Sequence, residues 1–172
     1  MAGATNPLDV GGSPQGFVSA LTDVDTVAKD QLGAIRYELN GTYKYVQFGA
    51  SRTTNVTAAL ALGDCVCYVL SAGSADLNRQ TLVDSANSTA GAGVVMGTVA
   101  ATGGPYYGWI QIEGVVTLNN AVGAGSNGNL MTSTGAAAKV MTAMAAFTNQ
   151  PVAVLIDNSV SASPVVCLQY RH

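Results

Sequence analysis

The hexapeptide GAGSNG, Gly123 to Gly128, has the G-x-G-x-x-G spelling of a loop that binds the pyrophosphate of a dinucleotide. In such a loop the glycines let the backbone approach the phosphates, and a following helix points its first amides at them. The residues that follow here, NLMTSTG, favour a turn and a strand, and no acidic residue stands about twenty positions later. We therefore interpret the hexapeptide as a turn between strands and expect no cofactor.

Cysteine and histidine are too few and too scattered to suggest catalysis or a metal site. A nucleophile needs a base beside it, and the single histidine of the chain is the terminal His172. Cys65 and Cys67 alternate in CVCYVL and Cys167 lies in VVCLQY, so a zinc site lacks a fourth ligand. Two positions on one strand and an odd count do not favour a disulfide. We predict free, packed thiols and no bound metal.

The carboxylates are mostly dispersed, and one of them lies in an aromatic strand. The stretch TDVDT resembles a fragment of a calcium loop but lacks the glycine and the distal glutamate. Glu113 with Tyr106, Tyr107 and Trp109 could serve a sugar-binding cleft, in which rings stack on the sugar and polar groups bond its hydroxyls. Alternatively, Glu113 lies on the solvent-facing side of a sheet, and Trp109 packs in the core or in an interface. We expect no enzyme activity.

The composition describes a surface with few charges. Charged residues make up 10% of the chain, against roughly 25% in typical soluble domains. Such a surface is easily dehydrated, so we infer that other protein covers much of it; the alternative is a weakly charged monomer. Seven lysines and arginines without a cluster, and a net charge of −3, argue against nucleic acid. The chain shows no apolar run that could span a bilayer and no signal peptide, so we expect no membrane partner and synthesis in the cytoplasm.

The first thirty residues differ from the rest of the chain. Prolines and paired glycines in NPLDVGGSPQG speak against regular structure, and Leu8, Val10 and Phe17 are apolar anchors among polar neighbours. The segment is either a disordered tail or an arm that becomes ordered on a partner. We divide the chain into an extended N-terminal arm, residues 1–30, and a β-domain, residues 31–172.

Short β-rich runs closed by turn residues recur from Leu32 onward. Asn40–Gly41 between AIRYEL and TYKYVQF is typical of a two-residue hairpin turn. Tyr43 and Tyr45 alternate with Lys44 and Val46, as in a half-buried strand. In YGWIQIEG the isoleucines point one way, and Trp109, Gln111 and Glu113 the other. A short helix is possible from Ala136, in AAAKVMTAMAAFTN. This pattern predicts an all-β fold, a small β-sandwich or barrel (jelly-roll-like) with at most one or two short helices.

The order of these segments resembles the small all-β decoration (cement) proteins that coat the heads of tailed bacteriophages. The resemblance covers roughly residues 32–170, and Y-G-W-I-Q-I-x-G followed by G-x-L is its most distinctive part. It is carried by LGAIRYELNGTYKYVQFGA, ALALGDCVCYVL, AGVVMGTVAATGGPYYGWIQIEGVVTL, GNLMTSTGAAAKVM and QPVAVLIDN.

The resemblance implies a structural protein on the exterior of the virion. Such proteins bind the major capsid protein of the assembled lattice, usually as homotrimers, and reinforce the joints between capsomers, often with an extended terminus. The residues expected to contact the capsid or a neighbouring subunit are then Leu8, Val10, Phe17, Tyr43, Tyr45 and Trp109. The alternative is a tail-fibre or receptor-binding module that uses the aromatic strand to bind carbohydrate.

Overall fold

The computed structural model describes residues 16–49, 59–68, 80–82, 91–122, 125–133, 140–144, 151–160 and 162–169. Within these ranges the chain is all-β, as predicted, and no helix there is long and apolar enough to cross a membrane. The strands are β1 (Val24–Asp25), β2 (Ile35–Glu38), β3 (Gly41–Phe48), β4 (Cys65–Tyr68), β5 (Gln80–Leu82), β6 (Gly91–Val95), β7 (Tyr106–Thr117), β8 (Leu130–Ser133), β9 (Met141–Ala143), β10 (Ala153–Asp157) and β11 (Val165–Gln169).

The predicted hairpin forms, with its turn one residue earlier than the sequence suggested. β2 and β3 are antiparallel, and Glu38 lies opposite Gly41, so the two turn residues are Leu39 and Asn40. Gly41 begins the strand because it lies against β7, where a side chain would collide with the carbonyl oxygen of Glu113. Close packing on a third strand therefore sets the register of this hairpin.

All the strands belong to one hydrogen-bonded sheet centred on the long strand β7. β7 pairs antiparallel with β3 from Tyr106 to Gly114 and with β11 from Glu113 to Thr117. From β3 the pairing continues through β5, β4 and β6 back to β7, and β3–β5 is a parallel pair. From β11 it continues through β10 and β8 to β9. The sheet therefore curves over its own core, and β7 is common to both parts.

Alternate residues of β3 and β7 build two separate cores. Val46, Phe48, Ile110 and Ile112 belong to the large core, which extends through β4, β6, β10 and β11. Tyr43, Tyr45 and Trp109 form a smaller aromatic core on the opposite face. The predicted alternation in YGWIQIEG is confirmed, but the predicted half-buried character of β3 is not, because seven of its eight residues are buried. Both faces of this strand pair are therefore covered.

Two local predictions have different outcomes. Residues 136–139 lie outside the described residues, but Met141–Ala143 form β9, so the helix expected in this stretch is wrong there. The side chain of Met141 is fully buried in the large core, and this packing overrides the helix-forming composition. The described part of GAGSNG, residues 125–128, is a turn that leads into β8, as predicted.

The three cysteines are thiols that form no disulfide, as predicted. Cys65 and Cys67 are buried, and Cys167 is half-buried. Burial raises the pKa of the Cys65 thiol far above its ordinary value, because the large core disfavours the charged thiolate. Cys65 is therefore a packing residue and a poor nucleophile.

Candidate functional site

Three of the six predicted contact residues are buried inside the protein. Tyr43, Tyr45 and Trp109 are at most 4% exposed, and Phe17 is partly buried against them. Leu8 and Val10 lie outside the described residues. In this conformation a segment of their own chain covers the side chains of Tyr43, Tyr45 and Trp109.

That segment is the described part of the predicted arm together with the residues that follow it. Residues 16–34 lie across the aromatic core, and Phe17, Leu21, Leu32 and Ala34 pack on it. The Phe17 and Trp109 rings meet edge to face, with their centroids 5.0 Å apart. Residues 16–30 thus contact their own domain.

A chain of hydrogen bonds fixes the segment at Trp109. The indole Nε1 of Trp109 donates to the hydroxyl of Ser19 over 2.9 Å, in a buried position. The Ser19 hydroxyl in turn donates to the carboxylate of Asp30. The same carboxylate accepts the backbone amides of Val18 at 3.0 Å and Ser19 at 3.1 Å. Asp30 therefore orients the serine whose oxygen satisfies the indole.

Arg36 closes this arrangement from the solvent side. Its guanidinium carbon lies 5.4 Å from the ring centroid of Phe17 and 5.7 Å from that of Trp109, within the range of a cation–π contact. Its Nη1 donates to the carbonyl oxygen of Ser19 over 3.1 Å. We call Phe17, Ser19, Asp30, Arg36 and Trp109 together the aromatic clasp.

The charge of Asp30 follows from these contacts. Partial burial raises the pKa of Asp30, but hydrogen bonds from the Ser19 side chain and from the amides of Val18 and Ser19 outweigh burial, and Arg36 adds a favourable charge. The net pKa is below the ordinary value for aspartate. The carboxylate of the clasp is therefore ionised at neutral pH.

Two glycines let the segment lie close to the sheet. A β-carbon at Gly97 would come within 2.6 Å of the carbonyl oxygen of Thr22. One at Gly108 would come within 2.9 Å of the carbonyl oxygen of Asp23. Next to these contacts, β1 pairs with β7, and Val24 lies opposite Gly108. The glycines of MGTV and YGW are thus sites of close backbone approach.

The aromatic residues proposed for a sugar-binding cleft do not form one exposed face. Tyr106 packs against the large core, and Tyr107 packs against the aromatic core on the other side of the sheet. The indole of Trp109 is buried, and its only ring nitrogen already donates to Ser19. Of these four residues only Glu113 is exposed, in agreement with the alternative that it lies on the solvent-facing side of the sheet.

A second feature lies next to the hairpin turn, where β7 has a β-bulge and therefore bends. The pairing with β3 skips Ile112, since Tyr43 lies opposite Gln111 and Thr42 lies opposite Glu113. Gly114 follows with a φ of +99°. The buried Gln111 amide donates to the carbonyl oxygens of Glu113 at 3.1 Å and Val115 at 3.2 Å. The bulge, the glycine and the amide together hold the bend.

The bend and the turn enclose an open groove of about 700 Å³, which we call the hairpin groove. Tyr37, Leu39 and Val115 contribute large apolar side chains that are 78%, 101% and 55% exposed. Glu113 contributes a carboxylate that accepts a 3.0 Å hydrogen bond from the hydroxyl of Thr42. The groove is lined by Tyr37, Glu38, Leu39, Asn40, Gly41, Thr42, Glu113, Gly114 and Val115.

The described residues contain no group of three or more His, Cys, Asp or Glu placed to hold a metal ion. Sequence reasoning missed the roles of Ser19, Asp30 and Arg36 in the clasp and of Leu39 in the groove. No local signal marked Leu39, because the preferred turn residues Asn40 and Gly41 placed it in the preceding strand.

Comparisons with protein-family models, with curated proteins and with solved structures find no match for this chain.

The bend of β7 is tested by a pair of glycine variants. A β-carbon at Gly114 would lie 2.5 Å from the carbonyl oxygen of Asn40, whereas one at Gly128, which has a similar φ of +89°, meets nothing within 4 Å. Gly128→Ala should lower the free energy of unfolding by about 1–2 kcal/mol, the cost of a left-handed conformation. Gly114→Ala should cost roughly 1–3 kcal/mol more, because the collision adds to that strain. Equal losses in urea unfolding contradict the described bend.

The clasp is tested at Ser19. Ser19→Ala leaves the buried Trp109 N–H without its acceptor, so we expect a loss of about 1–3 kcal/mol in the free energy of unfolding. The chain has a single tryptophan, so its fluorescence reports this site alone. We expect a red-shifted emission maximum for Ser19→Ala, whereas the exposed Ser163→Ala should match the unchanged protein. An unshifted maximum with unchanged stability means that Ser19 does not hold the indole.

The ionisation of Asp30 predicts how the clasp responds to acid. Because the folded-state pKa lies below the ordinary value, the stabilisation is complete above that value and disappears as pH falls through the folded-state pKa. We expect the stability difference between the unchanged protein and Asp30→Asn to be constant near neutral pH and to shrink below about pH 4. Urea unfolding followed by Trp109 emission at several pH values measures this difference. A difference that stays constant from neutral pH down to pH 2.5 assigns the effect of the variant to something other than charge.

Proposed function

We propose that this chain is a structural virion protein that binds the outer surface of a tailed-phage capsid and joins neighbouring capsomers. The support from the sequence is the resemblance to decoration proteins, together with a charged fraction of 10%. The major capsid protein and further copies of the chain, as a homotrimer, are the partners. The place of action is the exterior of the virion, after synthesis in the host cytoplasm.

The observation that carries the proposal is the exposed apolar surface of the domain. Large apolar side chains remain open to solvent at eight described positions, and three of these lie together at the hairpin groove. Clustered exposed apolar groups with few charges around them are typical of a surface that another protein covers. The eight residues are Val18, Val27, Tyr37, Leu39, Leu62, Val115, Ile156 and Val160.

An open groove fits a protein partner better than a small molecule. Sites for small ligands are concave and bury most of the ligand surface. The hairpin groove instead lies on the outside of a hairpin, and its apolar residues project into solvent. For this reason, and because Trp109 is buried, we do not propose the carbohydrate-binding alternative.

Binding to heads is tested with particles from the phage that encodes the chain. We expect mass spectrometry to find the chain in purified particles, and recombinant protein to co-sediment with heads that lack it. Decorated heads should withstand higher temperature or denaturant than bare heads. Light scattering should give a trimer whose mass does not change with salt, because few exposed ion pairs are available for screening. Absence of the chain from particles, with no binding to bare heads, contradicts the proposal.

The same assay tests the arm. Deletion of residues 1–15 removes Leu8 and Val10 but leaves the aromatic clasp intact. We expect the shortened chain to keep the Trp109 emission of the full chain and to bind heads more weakly. Deletion of residues 1–20 also removes Phe17 and Ser19, so it should shift the emission. Unchanged affinity after the first deletion shows that residues 1–15 do not contribute to binding.

A further inference from the structure

The outer edge of β2 offers backbone groups that β3 does not use. β2 lies at one end of the strand order, and among the described strands only β3 pairs with it. Glu38 and Gly41 close the two-residue turn as a hydrogen-bonded pair, so Glu38 and Arg36 direct their backbone amides and carbonyls at β3. The backbone amides and carbonyls of Ile35 and Tyr37 therefore point away from β3, where a further strand can bond to them.

The side chains along this edge are open to solvent. Tyr37 is 78% exposed, and Leu39, in the turn, is 101% exposed. On the opposite face of β2, Arg36 and Glu38 form an ion pair, with side chains that are 23% and 36% exposed. A strand added at this edge therefore meets the ring of Tyr37 on one face of β2 and one charge of each sign on the other face.

β2 is complementary to itself in one antiparallel register. If Tyr37 lies opposite Tyr37 of a second copy, Arg36 of each copy lies opposite Glu38 of the other. Opposite charges in directly facing positions stabilise a strand pair, whereas like charges destabilise it. The two neighbouring two-fold registers place Arg36 opposite Arg36 or Glu38 opposite Glu38. The charges therefore select the register centred on Tyr37.

We propose that the outer edge of β2 binds β2 of a second copy of this chain, antiparallel and with Tyr37 on the two-fold axis. The backbone amide and carbonyl of each Tyr37 then bond those of the other. Arg36 and Glu38 form two ion pairs across the axis, and the exposed rings of the two tyrosines lie side by side. The same four residues, Ile35–Glu38, serve both copies, so the contact is isologous.

The pairing adds to the proposed function and does not depend on it. An isologous contact has a two-fold axis, so it differs from the three-fold contacts of the proposed homotrimer and joins one trimer to the next. β2 has only four residues, and short, charged edge strands pair weakly. We therefore expect separate trimers at micromolar concentration, and pairing at the high local concentration of a lattice or when a covalent bond traps it.

The two-fold axis makes position 37 the place to trap the pair. In a hydrogen-bonded antiparallel pair the facing Cα atoms are about 5.5 Å apart, a distance that a disulfide spans. Tyr37→Cys is combined with Cys167→Ser, since Cys65 and Cys67 are buried, and the protein is oxidised slowly. We expect disulfide-linked pairs to form about tenfold faster than from Val160→Cys, an exposed position outside β2, in the same background. Equal rates at the two positions overturn the proposal, whereas the proposed binding to heads then still stands.

The register is tested by exchanging charges in the Tyr37→Cys protein. Glu38→Arg places arginine opposite Arg36, so we expect this variant to cross-link with itself about tenfold more slowly. Arg36→Glu has the same effect with two glutamates. A mixture of the two variants restores opposite charges at both facing positions, so mixed pairs, identified by their mass, should form as fast as pairs of the Tyr37→Cys protein. Each rate is divided by the rate of the same thiol with a small disulfide, because nearby charges alter thiol reactivity.

Arg36→Glu also loses its contacts in the aromatic clasp, so its Trp109 emission is measured first. If the emission shows that this variant does not fold, the self-cross-linking of Glu38→Arg tests the register alone. Mixed pairs that form no faster than pairs of either variant overturn the register centred on Tyr37. Glu38→Arg that cross-links as fast as the Tyr37→Cys protein overturns it as well.

Discussion

The hydrogen bond from the Trp109 indole to Ser19 ties residues 16–34 to the central strand at a buried position. Trp109 lies on the central strand, and its ring must be shielded from water on the face opposite the large core. Residues 16–34 provide that shield, and the carboxylate of Asp30 holds Ser19 in place. The arrangement satisfies a buried N–H, which would otherwise cost about 1–3 kcal/mol. The aromatic clasp therefore makes residues 16–30 an integral part of the domain.

The strand that carries Trp109 also carries the bend that forms the hairpin groove. Within W-I-Q-I-E-G, the indole holds the N-terminal segment, the isoleucines fill the large core, and the Gln111 amide fixes the backbone of the bend. Gly114 adopts a positive φ, which residues with a side chain rarely adopt. One short sequence thus contributes to both the aromatic clasp and the hairpin groove. The motif therefore has a structural role that does not depend on its resemblance to decoration proteins.

Local patterns predicted the strands better than they predicted what covers them. Alternation in β7 and the β2–β3 hairpin are visible in the sequence because period two and turn residues are local signals. The burial of Tyr43 and Tyr45 depends on residues 16–34, and no local pattern connects segments that lie so far apart. At Met141 the local composition was misleading. The stretch has a helix-forming composition, but the burial of Met141 in the large core favours a strand. The clasp required three residues that are ordinary in isolation, so composition could not reveal it.

The indole N–H of Trp109 gives a direct measurement of whether the aromatic core is closed to water. The chain has one tryptophan, so an ¹⁵N-labelled sample shows a single indole signal. We predict that this proton exchanges slowly with solvent at neutral pH, shows close contacts to the ring protons of Phe17, and exchanges faster in Ser19→Ala. A rapidly exchanging indole proton with no contact to Phe17 in the unchanged protein contradicts the account, because the aromatic core would then be open to water.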